Sequence, residues 1–305
     1  MTENAYAVRR PARSHFILRR GLRHHLLRWG AAALATPARP PLVLLHGWMD
    51  VAASFQFVVD ALAHERLVVA PDWRGFGQSD PTASDSYWFP DYLADLDALL
   101  DAQWPGQPID LLGHSMGGNV AMLYAGVRPD RIRRLVNLEG FGLPDSRPEQ
   151  APSRYASWLD ELKQPPALKT YDDLAAVAAR LRKTNPRLPA DKAAWLAPHW
   201  SRADAAGRCQ LLADPAHKRV NPIGYRKDEV LACWRRISAP LLWVEGDLTE
   251  LESWWGHRYP RSEFEARLAV VPKVERAVLS PAGHMLHHDQ PDALAAAIED
   301  FLERP

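Results

Sequence analysis

The sequence has 305 residues, 47% hydrophobic and 24% charged, the balance of an ordinary globular protein with room for a large core. Its 37 basic residues match 37 acidic ones, so nothing in the global charge recruits nucleic acid or an acidic polymer, and the expected partner is a small molecule of neutral or modest charge. No apolar stretch approaches bilayer-spanning length, and the two cysteines, Cys209 and Cys233, make no disulfide framework; a cytoplasmic monomer or homodimer with no membrane partner is expected.

Seven arginines, Arg9, Arg10, Arg13, Arg19, Arg20, Arg23 and Arg28, crowd the first thirty residues. No apolar run or small-residue cleavage site follows them. The stretches His15 to Leu18, Arg19-Arg20-Gly21 and Leu22 to Leu27 read instead as a hairpin on the solvated edge of a sheet. Short apolar runs then recur at Leu42 to Leu45, Leu67 to Ala70, Ile109 to Leu112, Leu135 to Leu138, Leu241 to Val244 and Ala277 to Leu279. Continuous runs, unlike alternating ones, belong to strands covered on both faces. Helical patterns fall between them, such as Asp91 to Trp104 with Leu93, Leu96, Leu99 and Leu100 on one face, and Asp292 to Leu302 near the end. Strand and helix in alternation predict an α/β protein with a doubly wound, mostly parallel sheet.

The alternation breaks after Gly142. From Leu143 to about Arg226 there are ten prolines, no comparable strand, and helical patterns over Pro152 to Leu162, Tyr171 to Lys183 and Asp191 to Trp200. This segment reads as an insertion over the strand tips, where open α/β sheets bind ligands. The expected division is a core over 1–142, a helical cap over 143–226, and the rest of the core over 227–305. Tyr155, Trp158 and Trp195 are the cap's candidate substrate-binding side chains, with Leu159, Leu162, Leu196 and Trp200 as further apolar lining. Holding a small helical cap together is the plainer use of such residues, so they identify no substrate.

The chemistry centres on Gly113-His114-Ser115-Met116-Gly117, which follows the apolar run Ile109 to Leu112 and precedes a helical pattern. A serine at the apex of a tight strand-to-helix turn projects its hydroxyl above the sheet, and flanking glycines remove the Cβ atoms that would clash there. Ser115 is therefore the candidate nucleophile. It needs a base, a carboxylate to orient the base, and donors for a developing oxyanion. His284 is the candidate base, because it sits in the loop after the last strand and before the terminal helix. His287 and His288 fall at solvent or capping positions, and His114 points away from its neighbour into packing. The oxyanion donors are expected to be the amides of Met116 and Trp48, the latter brought close by Gly47.

Leu44-Leu45-His46-Gly47-Trp48, Asp72-Trp73-Arg74-Gly75-Phe76-Gly77-Gln78-Ser79, Gly113-His114-Ser115-Met116-Gly117-Gly118 and Gly283-His284, in that order, resemble the ordered signature of the α/β-hydrolase superfamily. The resemblance implies a triad in the order Ser, acid, His, a cap after the sixth strand, and neither metal nor organic cofactor. It also implies a scaffolding role for Asp72 and Arg74. The acid departs from the commoner pattern: after the seventh strand, relatives place an aspartate where Gly246-Asp247-Leu248-Thr249 puts Thr249. Three carboxylates can substitute. Glu139, at the end of the preceding strand, resembles the strand-six acid of some haloalkane dehalogenases; Asp247 is the alternative acid, and Glu250 lies one residue off the usual register.

A serine at the turn excludes the epoxide hydrolase and haloalkane dehalogenase branches, which need an aspartate there. The expected function is hydrolysis of a carboxylic ester or thioester of a small to medium apolar acyl or aryl substrate. Carbon-carbon bond or amide hydrolysis with the same residues is the enzymatic alternative, and a non-catalytic ligand receptor is the other. Trp254 and Trp255 are assigned to core packing or a dimer contact.

Overall fold

The structure is a computed structural model that describes residues 5–304. It opens with the hairpin of β1 (Arg13–Arg19) and β2 (Leu22–Trp29), turning on Arg20 and Gly21 at φ 51° and 76°, the left-handed pair that a two-residue turn requires. Next come β3 (Leu42–Leu45), α1 (Gln56–Ala61), β4 (Val68–Pro71), α2 (Phe89–Gln103), β5 (Ile109–His114), α3 (Met116–Val127) and β6 (Ile132–Leu138). A long excursion follows, with α4 (Ala151–Lys163), β7 (Thr170–Tyr171), α5 (Leu174–Thr184), α6 (Ala190–Trp200), β8 (Ser201–Ala203) and β9 (Cys209–Leu211). The chain then returns through α7 (Lys227–Trp234), β10 (Leu241–Gly246), α8 (Leu251–Trp255), α9 (Arg261–Leu268), β11 (Val274–Leu279), α10 (Leu286–Asp289) and α11 (Pro291–Glu303).

Eight strands pair in the order β1-β2-β4-β3-β5-β6-β10-β11, antiparallel at β1/β2 and β2/β4 and parallel elsewhere. This is the doubly wound, mostly parallel α/β sheet that the alternation predicts. Successive residues of β3 go to opposite faces: Leu42 and Leu44 join Phe55, Ile298 and Phe301 on one side, Val43 and Leu45 join Trp73, Leu96 and Val120 on the other. Both faces are buried, so the strand carries no polar alternation. From β3 the chain steps outward to β4, then crosses back to β5. The loops after β3 and β5 therefore leave in opposite directions and open a crevice at the carboxyl ends of the strands.

The excursion holds three helices and a small antiparallel sheet in the order β7-β9-β8. These strands, two or three residues long, escape the sequence reading because two residues carry no periodicity. Backbone bonds and apolar packing are among the contacts that fasten the excursion to the body. Gly77 donates to the Leu212 carbonyl at 2.8 Å and Asp214 to the Gly75 carbonyl at 2.7 Å, and Phe57 of α1 packs with Leu181, Leu188, Ala193 and Leu196. Among the arginines of the first thirty residues, Arg10 donates its backbone amide to the Asp60 carboxylate at 2.6 Å and its guanidinium to the Val59 carbonyl at 2.8 Å, Arg20 pairs with Asp95 at 2.7 Å and Arg23 with Asp80 at 3.5 Å. Among the described residues no helix is long and apolar enough to cross a membrane.

Candidate active site

Ser115 sits between β5 and α3 at φ 52°, ψ −116°. The turn closes this tightly because its glycines let backbone approach backbone: a Cβ at Gly113 would run into the Gly117 carbonyl, and one at Gly117 into the Leu45 carbonyl. The Ser115 amide donates to the Leu138 carbonyl at 2.8 Å, which ties the Ser115 turn to the end of β6. Among the described residues four non-glycines have positive φ, and three of them, Met49, Ser115 and Glu139, border this crevice. Each such backbone costs about 1–3 kcal/mol and persists only where its surroundings fix it.

Glu139 is the residue after β6, turned to φ 54° by a local knot in which Asn137 Oδ1 accepts the Gly140 amide at 2.7 Å. Its side chain is wholly buried. Glu139 Oε1 accepts the Gly246 amide at 2.7 Å, and Oε2 lies 2.7 Å from His284 Nδ1. A carboxylate only accepts, so Nδ1 carries the proton and Nε2 of the neutral ring presents a lone pair. That lone pair faces Ser115 Oγ at 3.0 Å. The three residues form one hydrogen-bonded chain able to pull the serine proton toward His284 as the oxygen attacks an electrophile.

Asp247 is placed elsewhere. It is exposed, and both its oxygens are taken, Oδ2 by the Ser280 hydroxyl at 2.6 Å and Oδ1 by the Ala282 amide at 2.9 Å. Those two donors hold its carboxyl below the ordinary range. The structure therefore corrects the alternative acid: Asp247 braces the loop that carries His284 without touching its ring. Glu250 is exposed at the start of α8.

On the other side of the crevice, His46 is fully buried, and burial keeps its ring toward the neutral form despite Asp50 and Asp72 nearby. Its Nε2 accepts the Trp73 amide at 3.0 Å, so Nδ1 carries the hydrogen and donates to the Gly47 carbonyl at 2.8 Å. In a planar trans peptide the C=O and the following N–H point oppositely, so fixing the Gly47 carbonyl aims the Trp48 amide the other way. Gly47, Trp48 and Met116 all border the cavity that exposes Ser115 and His284. Asp72 and Arg74 hold loops as expected: Asp72 accepts from His25, Ala52 and Gln78 at 2.7–2.9 Å, and Arg74 grips Asp95 at 2.5 and 2.6 Å.

The cavity above Ser115 measures roughly 900 Å³. Its walls correct the expectation from the excursion's aromatics, because Tyr155, Trp158 and Trp195 do not line it. Helix α4 buries none of its residues: Tyr155 is exposed and Trp158 donates to Ser86 Oγ at 3.0 Å. Trp195 packs edge-on against Tyr6 and Phe57. The apolar lining comes from Phe141, Tyr171, Val177, Leu181, Trp200 and Trp254. Trp254, assigned from sequence to packing or a dimer contact, instead stands edge-on over the His284 ring, with centroids 4.6 Å apart. A tryptophan pair just past the carboxyl end of β10 was the available signal. The exposed rim also carries Lys169, Arg180 and Lys218, a local positive charge that a net charge of zero hides.

His287 and His288 are a further correction. They are 0% and 2% exposed, not solvent or capping residues, because their rings pack at a tilt in a row with His114 and against Phe55 and the edge of Phe57. His114 is buried as expected and donates Nε2–H to the His284 carbonyl at 2.7 Å.

Comparison with known proteins agrees with this architecture. The chain is 26% identical over 280 residues to a serine hydrolase-like protein of Danio rerio, covering 86% of this chain and 81% of the relative. It is 27% identical over 292 residues to an N-formylmaleamate deformylase of Pseudomonas putida, covering 93% and 94%. The solved thioesterase domain from the curacin biosynthetic pathway superposes with a TM-score of 0.78 at 27% identity, covering 95% of this chain and 99% of that one. The model of the alpha/beta hydrolase fold family matches residues 40–291, and the chain belongs to that family.

Proposed function

We propose that this protein is a serine hydrolase that cleaves a carboxylic ester or thioester of a small to medium apolar acyl or aryl group through an acyl-enzyme. The observation that carries the reading is the hydrogen-bonded chain from Glu139 through His284 to Ser115, opening into an apolar cavity. Residues 143–226 serve as the cap over a core made of 1–142 and 227–305.

Ser115 Oγ attacks the carbonyl carbon while its proton passes to His284 Nε2, and Glu139 steadies the imidazolium through Nδ1–H. The amides of Trp48 and Met116 hold the oxyanion, each donor lowering the barrier by about 2.7–4 kcal/mol. Collapse breaks the bond to the leaving oxygen or sulfur, which takes the proton from His284. Water then attacks the acyl carbon, gives its proton to His284, and the acid departs as Ser115 recovers its hydrogen.

The second reading is amide hydrolysis of an anionic acid. Lys169, Arg180 and Lys218 on the rim favour it, as does the relative named N-formylmaleamate deformylase. Turnover of a p-nitrophenyl ester series from acetate to dodecanoate tests the choice. Activity that vanishes in Ser115→Ala is the expected result, and the chain-length optimum sizes the cavity. No turnover of any ester, with turnover of N-formyl or N-acetyl amides that also carry a carboxylate, would move the assignment to amide hydrolysis. Failure of a fluorophosphonate to label Ser115 would leave a non-catalytic binder.

A further inference from the structure

Behind the nucleophile lies a second histidine and carboxylate cluster that the proposed reaction does not use. Asp50, His114 and His287 converge from the loop after β3, the last residue of β5, and α10, and are 3%, 2% and 0% exposed. Each offers a ligand atom, the three lying within 4.8 Å of one another. Asp50 Oδ2, His114 Nδ1 and both nitrogens of His287 have no hydrogen-bond partner among the described residues. His287 Nε2 stands 3.7 Å from Asp50 Oδ2, beyond hydrogen-bond range. Buried polar atoms are rarely left so.

The neighbours fix which lone pairs face inward. His114 gives its Nε2–H to the His284 carbonyl at 2.7 Å, so in the neutral ring Nδ1 is a bare lone pair. Asp50 commits Oδ1 to the Val51 amide at 2.7 Å and to the Ser54 hydroxyl, leaving Oδ2. A ring N–H on a backbone carbonyl and a carboxylate pinned by its other oxygen are the outer contacts that orient ligands in metal sites.

We propose that Asp50, His114 and His287 bind one divalent transition-metal ion of the zinc, cobalt and nickel class. Two imidazole nitrogens and one carboxylate oxygen favour such ions over magnesium or calcium, which prefer oxygen alone. Bonds of about 2.0–2.1 Å hold tetrahedral ligand atoms about 3.4 Å apart, so the cluster draws in slightly around the ion. Asp50 and His114 border the large cavity, which is the path of entry and leaves the fourth position to water. The bound ion ties together the loop of Trp48, the strand before Ser115 and the helix after His284. It binds the folded chain, so it raises the melting temperature.

The test needs no substrate and is independent of the hydrolytic reading. Metal-free protein carrying His64→Ala, which breaks up the partly exposed group of His64, Glu299 and Glu303, is titrated with Co²⁺ by visible absorption and with Zn²⁺ by thermal melting. One Co²⁺ per chain with the intense d–d bands of a four- or five-coordinate ion, and a higher melting temperature with Zn²⁺, are expected. Both signals should disappear in Asp50→Asn and in His287→Phe, each checked for folding by circular dichroism. Absence of stoichiometric Co²⁺ binding, the faint bands of a hexaaquo-like ion, or binding unchanged in either folded variant overturns the proposal and makes the cluster a water pocket. If neither variant folds, the spectrum and stoichiometry of the His64→Ala protein decide alone.

Discussion

The ends of β6 and β10 each carry a carboxylate close to the loop of His284, and the two do different work. Glu139 is buried, turned inward by a left-handed backbone, and aims one oxygen at the imidazole. Asp247 is exposed and spends both oxygens on the Ser280 hydroxyl and the Ala282 amide. The role of a carboxylate is decided by the donors that reach it, not by its distance along the chain from a familiar motif. The same Gly246 that opens the loop after β10 gives its amide to Glu139, so one strand end supplies the clamp for the acid on the other.

Substitution breaks the pair apart. Glu139→Gln should lower kcat by about 10³–10⁴-fold with KM little changed, because the amide no longer enforces the Nδ1–H tautomer; p-nitrophenyl ester kinetics read it directly. Equal activity in this variant and the wild type would remove Glu139 from the mechanism. Adding Thr249→Asp to Glu139→Gln moves a carboxylate to the usual register, where the Thr249 hydroxyl is buried without a hydrogen-bond partner among the described residues. That double variant should regain roughly tenfold of the loss, a fraction of what a well-placed acid–base partner supplies, and no recovery would mean that the end of β10 cannot reach the ring. Asp247→Asn should change kcat by less than about threefold, as substitutions away from the reacting atoms do, while speeding hydrogen exchange at the Ala282 amide.

Acid gives the smallest and most selective effect. The Asp247 carboxyl titrates lower folded than its ordinary value of 3.8, chiefly through the Ser280 hydroxyl and the Ala282 amide. Its contribution to stability is therefore complete above the ordinary carboxylate range and is lost as pH falls below it. The gap in urea midpoint between the wild type and Asp247→Asn should narrow from pH 6 toward pH 3, and a gap constant with pH would show that the charge contributes nothing.

Ser115 and His284 were legible from sequence because each is announced by its immediate neighbours, a glycine-framed turn in one case and a strand-to-helix loop in the other. Glu139 was legible by default, through the threonine standing where an aspartate was expected. The apolar runs of β3, β4 and β10, buried end to end, declared parallel strands because they cannot face water; those of β5 and β6 did so despite the buried Asp110 and Asn137, and that of the edge strand β11 leaves Val278 exposed. The cavity wall was not legible. An apolar residue on a helix reports that some face is covered, not which one, and α4 turns Tyr155 to solvent while the short α8 turns Trp254 over His284. His287 and His288 lie in a helix of four residues, too short to show a face, and the aromatic rings packed around them explain their burial.

The roof over Ser115 is riveted on two sides, by the backbone bonds at Leu212 and Asp214 and by Phe57 among the residues of α5 and α6. We expect a roof fastened in this way to stay in place at an oil–water boundary. Turnover should follow dissolved substrate smoothly up to the solubility limit and through it, with no jump in rate where droplets or micelles first form.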